Sequence, residues 1–161
     1  MKTLKVPIKC TISNKSIKLL DIKSIHTNQL YKAFFRKRKL LLVEDNPLNR
    51  EIARTLLTEE GFVIDEVTNG QEAIDRISQS TEGEYALILM DIQMPIMDGY
   101  ETAKAIRNMK NPLHARIPII AMTANAFDEE KKRALSCGMN GHISKPIDID
   151  VLFNTIEGII K

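Results

Sequence analysis

The sequence predicts an α/β domain built on a parallel sheet with helices on both faces, and two patterns lead there. From Lys39 onward, short and mostly apolar runs alternate with stretches of helical periodicity, as expected of strands buried on both sides and linked by crossover helices. At the joints stand residues with the character of helix caps and helix stops.

In chain order, the strand candidates are residues 40–43, 63–67, 86–90, 118–122 and 141–144. Asn46 and Pro47 suit the N-cap and first position of a helix after the first strand. In that helix Leu48, Ile52 and Leu56 recur at helical spacing, a face expected to pack on the sheet. Gly61 suits its stop. Asn69 with Glu72, and Asp98 with Glu101, fit capping boxes for the next two helices. The charge run at residues 128–133 reads as the solvated side of a fourth helix with acids in its first turn, and Gly138 suits the stop. Ile149, Leu152, Ile156 and Ile160 give a fifth helix its apolar face. Five strand–helix units without an internal repeat or a long loop make one domain of about 120 residues, placed at residues 39–161.

Composition agrees with this. The 161 residues are 43% hydrophobic and 27% charged, within the range of a globular domain with a sizeable core. The net charge of +2 hides an asymmetry, because residues 1–39 hold 11 of the 23 Lys and Arg but, in Asp21, only one of the 21 acids. Residues 1–38 fit neither helical nor strand period for long and read as a basic extension or linker, with weak electrostatic anchoring to an anionic membrane as the other reading. Nucleic acid is not the expected partner of the acidic remainder. No apolar run approaches the roughly 18 residues of a membrane span, and Lys2, Lys5 and Lys9 break up any secretory signal, so the expected location is the cytoplasm. Cys10 and Cys137 stand far apart without His or Cys at metal-ligand spacing and read as reduced thiols. Met90, Met94 and Met97 read as packing rather than as a soft-metal cluster.

Ligands of open α/β sheets bind at the carboxyl ends of strands, and the acids fall there. Glu44 and Asp45 follow the first strand candidate, and Asp91 follows the third. Each alone is explained by a helix start or a turn. Together, if the first and third strands are neighbours, they form a carboxylate cluster that is costly without a cation. Oxygen donors lacking His or Cys select Mg²⁺, with Mn²⁺ as the substitute. Thr123 and Lys145 end the fourth and fifth strands, adding a hydroxyl and an ammonium. Such a set suits phosphoryl transfer.

Four runs carry a resemblance: residues 41–49 (LLVEDNPLN), 89–99 (LMDIQMPIMDG), 119–125 (IIAMTAN) and 141–146 (GHISKP). Over about residues 39–161 the sequence resembles the receiver domains of two-component response regulators, especially those of hybrid histidine kinases. The resemblance implies a flavodoxin-like, doubly wound five-stranded sheet of order 2-1-3-4-5 with five helices, which makes the first and third strands neighbours. It implies Asp91 as phosphoacceptor, with Mg²⁺ held by Glu44, Asp45, Asp91 and the Gln93 backbone carbonyl. Lys145 would pair with a phosphoryl oxygen, and Thr123 would donate to the phosphoryl group in a switch shared with position 142. Gln93 and Asn125 occupy positions that tend to set the lifetime of the phosphorylated state.

Two positions depart from the commonest pattern. Glu44 stands where many receivers have Asp, and either carboxylate can reach the ion. His142 replaces a Tyr or Phe and acts either as a plain ring or as a pH-sensitive one. The implied donor is a phosphohistidine on a histidine kinase or a histidine phosphotransfer protein, docking beside the first helix and the Lys145–Pro146 loop, with Leu48, Ile52 and Ile147 as either apolar contacts or core residues. The chain is expected to stand alone or to come from a hybrid kinase, without an output module, and any membrane link would run through the kinase or the basic segment. A non-phosphorylated scaffold with the same fold is the alternative. An aspartyl phosphatase is disfavoured, since it would carry a second Asp where Gln93 stands.

Overall fold

The computed structural model describes residue 33, residues 36–124 and residues 127–160. Most of the basic segment at 1–38 lies outside these residues, as do Cys10 and Asn125. Five strands form one parallel sheet: β1 (Lys39–Val43), β2 (Val63–Val67), β3 (Tyr85–Asp91), β4 (Ile119–Thr123) and β5 (Gly141–Ser144). Their order is β2-β1-β3-β4-β5, as the resemblance implied. The strand candidates match within one residue at every end. β3 and β4 run one residue further than expected and include Asp91 and Thr123, so the ladder holds the backbone of both.

Six helices accompany the sheet among the described residues: α1 (Pro47–Glu59), α2 (Gly70–Gln79), α3 (Gly99–Arg107), α4 (Pro112–Ala115), α5 (Asp128–Ser136) and α6 (Ile149–Ile160). The sixth, beyond the five expected, is the four-residue α4. Its start is legible in Asn111, whose side chain accepts from Leu113 N–H ahead of Pro112 at the first turn. Nothing in so short a segment shows helical periodicity.

Alternation along the strands divides the core. Leu41, Val43, Ile88, Met90, Ile119 and Ala121 face one layer with Ala73 and Ile77 of α2, Ala103 and Ile106 of α3, and Ala134 of α5. Leu40, Leu42, Leu87, Leu89, Ile120 and Met122 face the other, with Ala53 and Leu57 of α1 and Leu152, Phe153 and Ile156 of α6. Central strands buried on both faces explain why β1 and β3 read as continuous apolar runs. Met90 is fully buried and Met94 packs against the first layer, as the packing reading expected, and Cys137 is a buried free thiol.

One helical face is corrected. Leu48 is 67% exposed and Ile52 43%, while Ala53 and Leu57 are the buried residues of α1. The stripe at 48, 52 and 56 is real, but the helix is rotated so that the 53 and 57 positions meet the sheet.

Caps follow the sequence with one difference. Asn46 accepts from Leu48 and Asn49 N–H, and Asp98 with Glu101 forms a complete capping box. Asn69 accepts from Glu72 N–H, but Glu72 Oε2 takes the N–H of Thr68, so the reciprocal half reaches one residue further back. Gly61 and Gly138 both adopt φ +90 at helix ends, a conformation other residues enter at a cost. The rotation of α1 is testable by urea unfolding. Leu57→Ala should cost about 2–5 kcal/mol, whereas Ile52→Ala should stay within about 0.5 kcal/mol.

Candidate functional site

Pairing register decides which side chains meet at the carboxyl edge of the sheet. Val43 pairs with Met90, so Glu44 and Asp91 arrive level at the ends of β1 and β3. Asp91 pairs with Met122, which places Thr123 one step beyond it. Thr123 pairs with Ser144, and Lys145 follows directly. Lys145 N–H also donates to the Thr123 carbonyl at 2.8 Å, tying the two strand ends together.

The buried centre is an ammonium between two carboxylates. Lys145 Nζ lies 2.9 Å from Glu44 Oε2 and 2.9 Å from Asp91 Oδ1. Glu44 is 1% exposed and Asp91 3%, so neither relies on bulk water. Glu44 Oε1 accepts from the Asn46 backbone at 3.2 Å and the Asn49 amide at 3.4 Å. Arg50 holds the backbone that carries the acid pair, donating to the carbonyls of Glu44 at 2.8 Å and Asp45 at 3.2 Å. Asp91 Oδ1 accepts from Gln93 N–H at 3.2 Å. Behind it, Gly99 donates its N–H to the Ile92 carbonyl, and a Cβ there would run into the Asp91 carbonyl and within 2.9 Å of Ile92 Cα. The start of α3 therefore sits directly against the backbone of Asp91 and has no room for a side chain.

Electrostatics follow from one ammonium serving two buried acids. Burial pushes the Asp91 carboxyl above its usual range; the hydrogen bond from Lys145 opposes this, and the Glu44 charge adds to it. Burial pulls Lys145 down, but its hydrogen bonds to Glu44 and Asp91 outweigh that and leave it above its ordinary value, so the ammonium stays charged at neutral pH. Negative charge is under-compensated. Asp45, more open to solvent, deepens the deficit, and one carboxylate oxygen from each of Glu44, Asp45 and Asp91 lies within 4.8 Å of the others. Hard oxygen donors at this spacing could hold Mg²⁺ or Mn²⁺.

Of the other candidate residues, Gln93 has an exposed side chain. Thr123 is buried, and its hydroxyl donates to Glu130 Oε2 on α5 at 2.6 Å. His142 is half-buried, and burial, with the Lys131 charge added and Asp128 opposing, holds its ring below the usual imidazole value. It is therefore a neutral ring at neutral pH. Ile147, a candidate contact or core residue, is 8% exposed and belongs to the layer packed by α1 and α6, while also lining the groove beside Lys145 and Pro146.

Sequence reasoning missed Glu130, Asn49, Arg50 and Gly99. Glu130 was hidden in a charge run, where only its spacing of one strand-to-helix connection from Thr123 hinted at contact. Gly99 had the plainer signal, an invitation to close approach in an Asp-Gly pair at a helix start.

The family model described as the response regulator receiver domain matches residues 40–157. The chain belongs to that family. It is 37% identical over 155 residues to Probable histidine kinase 1 of Oryza sativa subsp. indica, covering 78% of this chain and 16% of that protein. It is 40% identical over 122 residues to Hybrid signal transduction histidine kinase I of Dictyostelium discoideum, covering 74% and 7%. The chain thus spans less than a fifth of either relative. Among solved structures it is similar to the receiver domain of sensor histidine kinase PA1611 from Pseudomonas aeruginosa PAO1, with a magnesium ion coordinated in its active-site cleft. That match has a TM-score of 0.67 at 34% identity and covers 77% of this chain and 98% of that one. It is also similar to a chain in the complex of the Saccharomyces cerevisiae phosphotransfer protein Ypd1 with the receiver domain of Ssk1, with a TM-score of 0.65 at 33% identity, covering 73% and 85%. No helix among the described residues is long and apolar enough to cross a membrane.

Under-compensation makes a metal prediction. In thermal melts, Mg²⁺ at about a hundredfold excess over its Kd should stabilise the folded chain by about 2.7 kcal/mol. EDTA should reverse the shift, and Asp45→Asn should abolish most of it.

Proposed function

We propose that this chain receives a phosphoryl group on Asp91 from a phosphohistidine, within a two-component phosphorelay, and slowly hydrolyses it. The observation that carries the reading is the buried triad of Glu44, Asp91 and Lys145 with Asp45 beside it. A sheet gains nothing in packing from such a cluster, whereas phosphoryl transfer needs a nucleophilic carboxylate, fixed cationic groups and a cation site in one place. Glu44, Asp45, Asp91 and the Gln93 carbonyl would hold Mg²⁺, which when bound offsets the repulsion between anionic nucleophile and anionic phosphoryl group.

An Asp91 carboxylate oxygen attacks phosphorus, and the P–N bond to the donor imidazole breaks with its electron pair returning to nitrogen. Lys145, already charged and 2.9 Å from the nucleophile, stays paired with the phosphoryl oxygens as they acquire charge. Thr123 donates its hydroxyl proton to another of those oxygens, and His142 fills the space beside it as a neutral ring. Reset is attack of water on phosphorus, which breaks the P–O bond to Asp91 and returns the free carboxylate and inorganic phosphate. Gln93 and Asn125 would govern how fast that water arrives.

The donor would be a histidine kinase or a histidine phosphotransfer protein. Its docking site would lie beside α1 and the Lys145–Pro146 loop, where Glu44, Asn49, Ile52, Lys145 and Ile147 line a groove of about 260 Å³, with Leu48 exposed on the same helix. The similar receiver co-crystallised with a phosphotransfer protein supports this choice of donor. The proposed receiver boundary is residue 39, with 1–38 as the extension, and the proposed location is the cytoplasm.

The test is transfer from a ³²P-labelled histidine phosphotransfer protein in Mg²⁺. Wild type should take up label with the alkali lability of an acyl phosphate. Asp91→Asn should take up none, and Lys145→Ala should slow transfer at least about a hundredfold, the scale of losing one charge-stabilising donor. Leu48→Ala should weaken docking while leaving phosphorylation by a small-molecule donor unchanged. Label retained by Asp91→Asn would contradict the reading.

A further inference from the structure

Thr123 has one hydroxyl proton to give, and it is already engaged. Its hydroxyl donates to Glu130 Oε2 at 2.6 Å, a short bond to a carboxylate of the stronger, charge-assisted kind. The backbone at Thr123 cannot shift easily to serve two acceptors, because it pairs with Ser144 and its carbonyl accepts from Lys145. What can change is the side chain's choice of acceptor.

Glu130 is placed to make that choice matter. It is the third residue of α5, the position whose acid usually turns back to cap its own helix. The N-cap residue of α5 is Phe127, which supplies no side-chain hydrogen bond, and Glu130 reaches across to β4 instead. The same bond therefore anchors the first turn of α5 to the strand end beside Asp91. Along with Gln93, Asp98 and Arg133, Glu130 lines a cleft of about 340 Å³ between the loop after β3 and α5, so its carboxylate has space to swing away once released.

We infer that Glu130 is a positioning residue for the phosphorylation reaction: it holds the Thr123 hydroxyl on α5 until a phosphoryl oxygen on Asp91 competes for the same proton. This inference rests on the reading of Asp91 as phosphoacceptor. A bond present only before phosphorylation must be surrendered during it, so it favours the unphosphorylated state and opposes the transfer. When Thr123 turns to the phosphoryl group, Glu130 is released and the start of α5 loses its tether to the sheet. The state of Asp91 is thereby passed to a helix through a single proton, whichever ring occupies position 142.

The experiment is a titration with beryllofluoride in Mg²⁺, followed by ¹H–¹⁵N NMR, on the whole chain. Glu130→Ala should bind the phosphoryl mimic at least about threefold more tightly than wild type, a discounted figure for a half-exposed charged hydrogen bond. Glu130→Gln, which still accepts but without charge, should gain less in the same direction. In a Thr123→Ala background Glu130→Ala should gain nothing, and in Thr123→Ser, which restores the hydroxyl, the gain should return. Equal affinity of Glu130→Ala and wild type would overturn the inference, as would an equal gain with and without the hydroxyl, since that would report the general loss of a negative charge. Failure of wild type to bind the mimic would instead overturn the reading of Asp91, and the inference with it.

Discussion

Two buried carboxylates share one lysine at the carboxyl edge of this sheet, and the surrounding structure is organised by that constraint. The central strands place Glu44 and Asp91 level with each other and out of water. Lys145 reaches both at 2.9 Å, yet one positive charge cannot neutralise two negative ones, and Asp45 adds a third. Desolvated acids in this balance are destabilising unless something else completes them. That deficit is the physical ground for the proposal that the cluster takes a divalent ion and an incoming phosphoryl group.

Neighbouring elements are shaped to keep the cluster in place. Asn46 caps α1 with its side chain while its own N–H supports Glu44, and Arg50 from the next turn grips the carbonyls behind the acid pair. On the far side, Gly99 lets α3 begin against the backbone of Asp91. The face of α1 turned outward by this packing carries Leu48 and Ile52, so the rotation that buries Ala53 and Leu57 also leaves an apolar surface next to the cluster.

Much of this was legible in the amino-acid order. Runs such as 86–90 are apolar because both faces are covered, and Asn46–Pro47 and Asp98 with Glu101 announce helix starts through hydrogen bonds made within a few residues. The acids, the threonine and the lysine could be assigned to one edge because each ends or directly follows a strand of a parallel sheet. What could not be read depends on rotation and on long-range contact. The stripe at 48, 52 and 56 has the same period as the buried positions 53 and 57, so periodicity alone could not say which faced the sheet. Ile147 could be read either as core or as contact, because nothing local shows that it both joins the layer of α1 and α6 and lines the groove beside Lys145. Glu130 was one acid in a charged run, and only the turn between β4 and α5 brings its carboxylate to Thr123.

In the proposed reading signal and chemistry meet at that contact, since the proton that Thr123 gives to α5 is the one a phosphoryl group on Asp91 would claim. Everything downstream depends on Asp91 accepting the group. The most direct measurement is intact-mass and peptide analysis after incubation with acetyl phosphate and Mg²⁺, with acyl phosphate reduced by borohydride to mark its position. Wild type should gain one phosphoryl group, labelled at Asp91 as homoserine and absent in EDTA. A chain that gains none in Mg²⁺, or carries the group at another residue, would contradict the central claim.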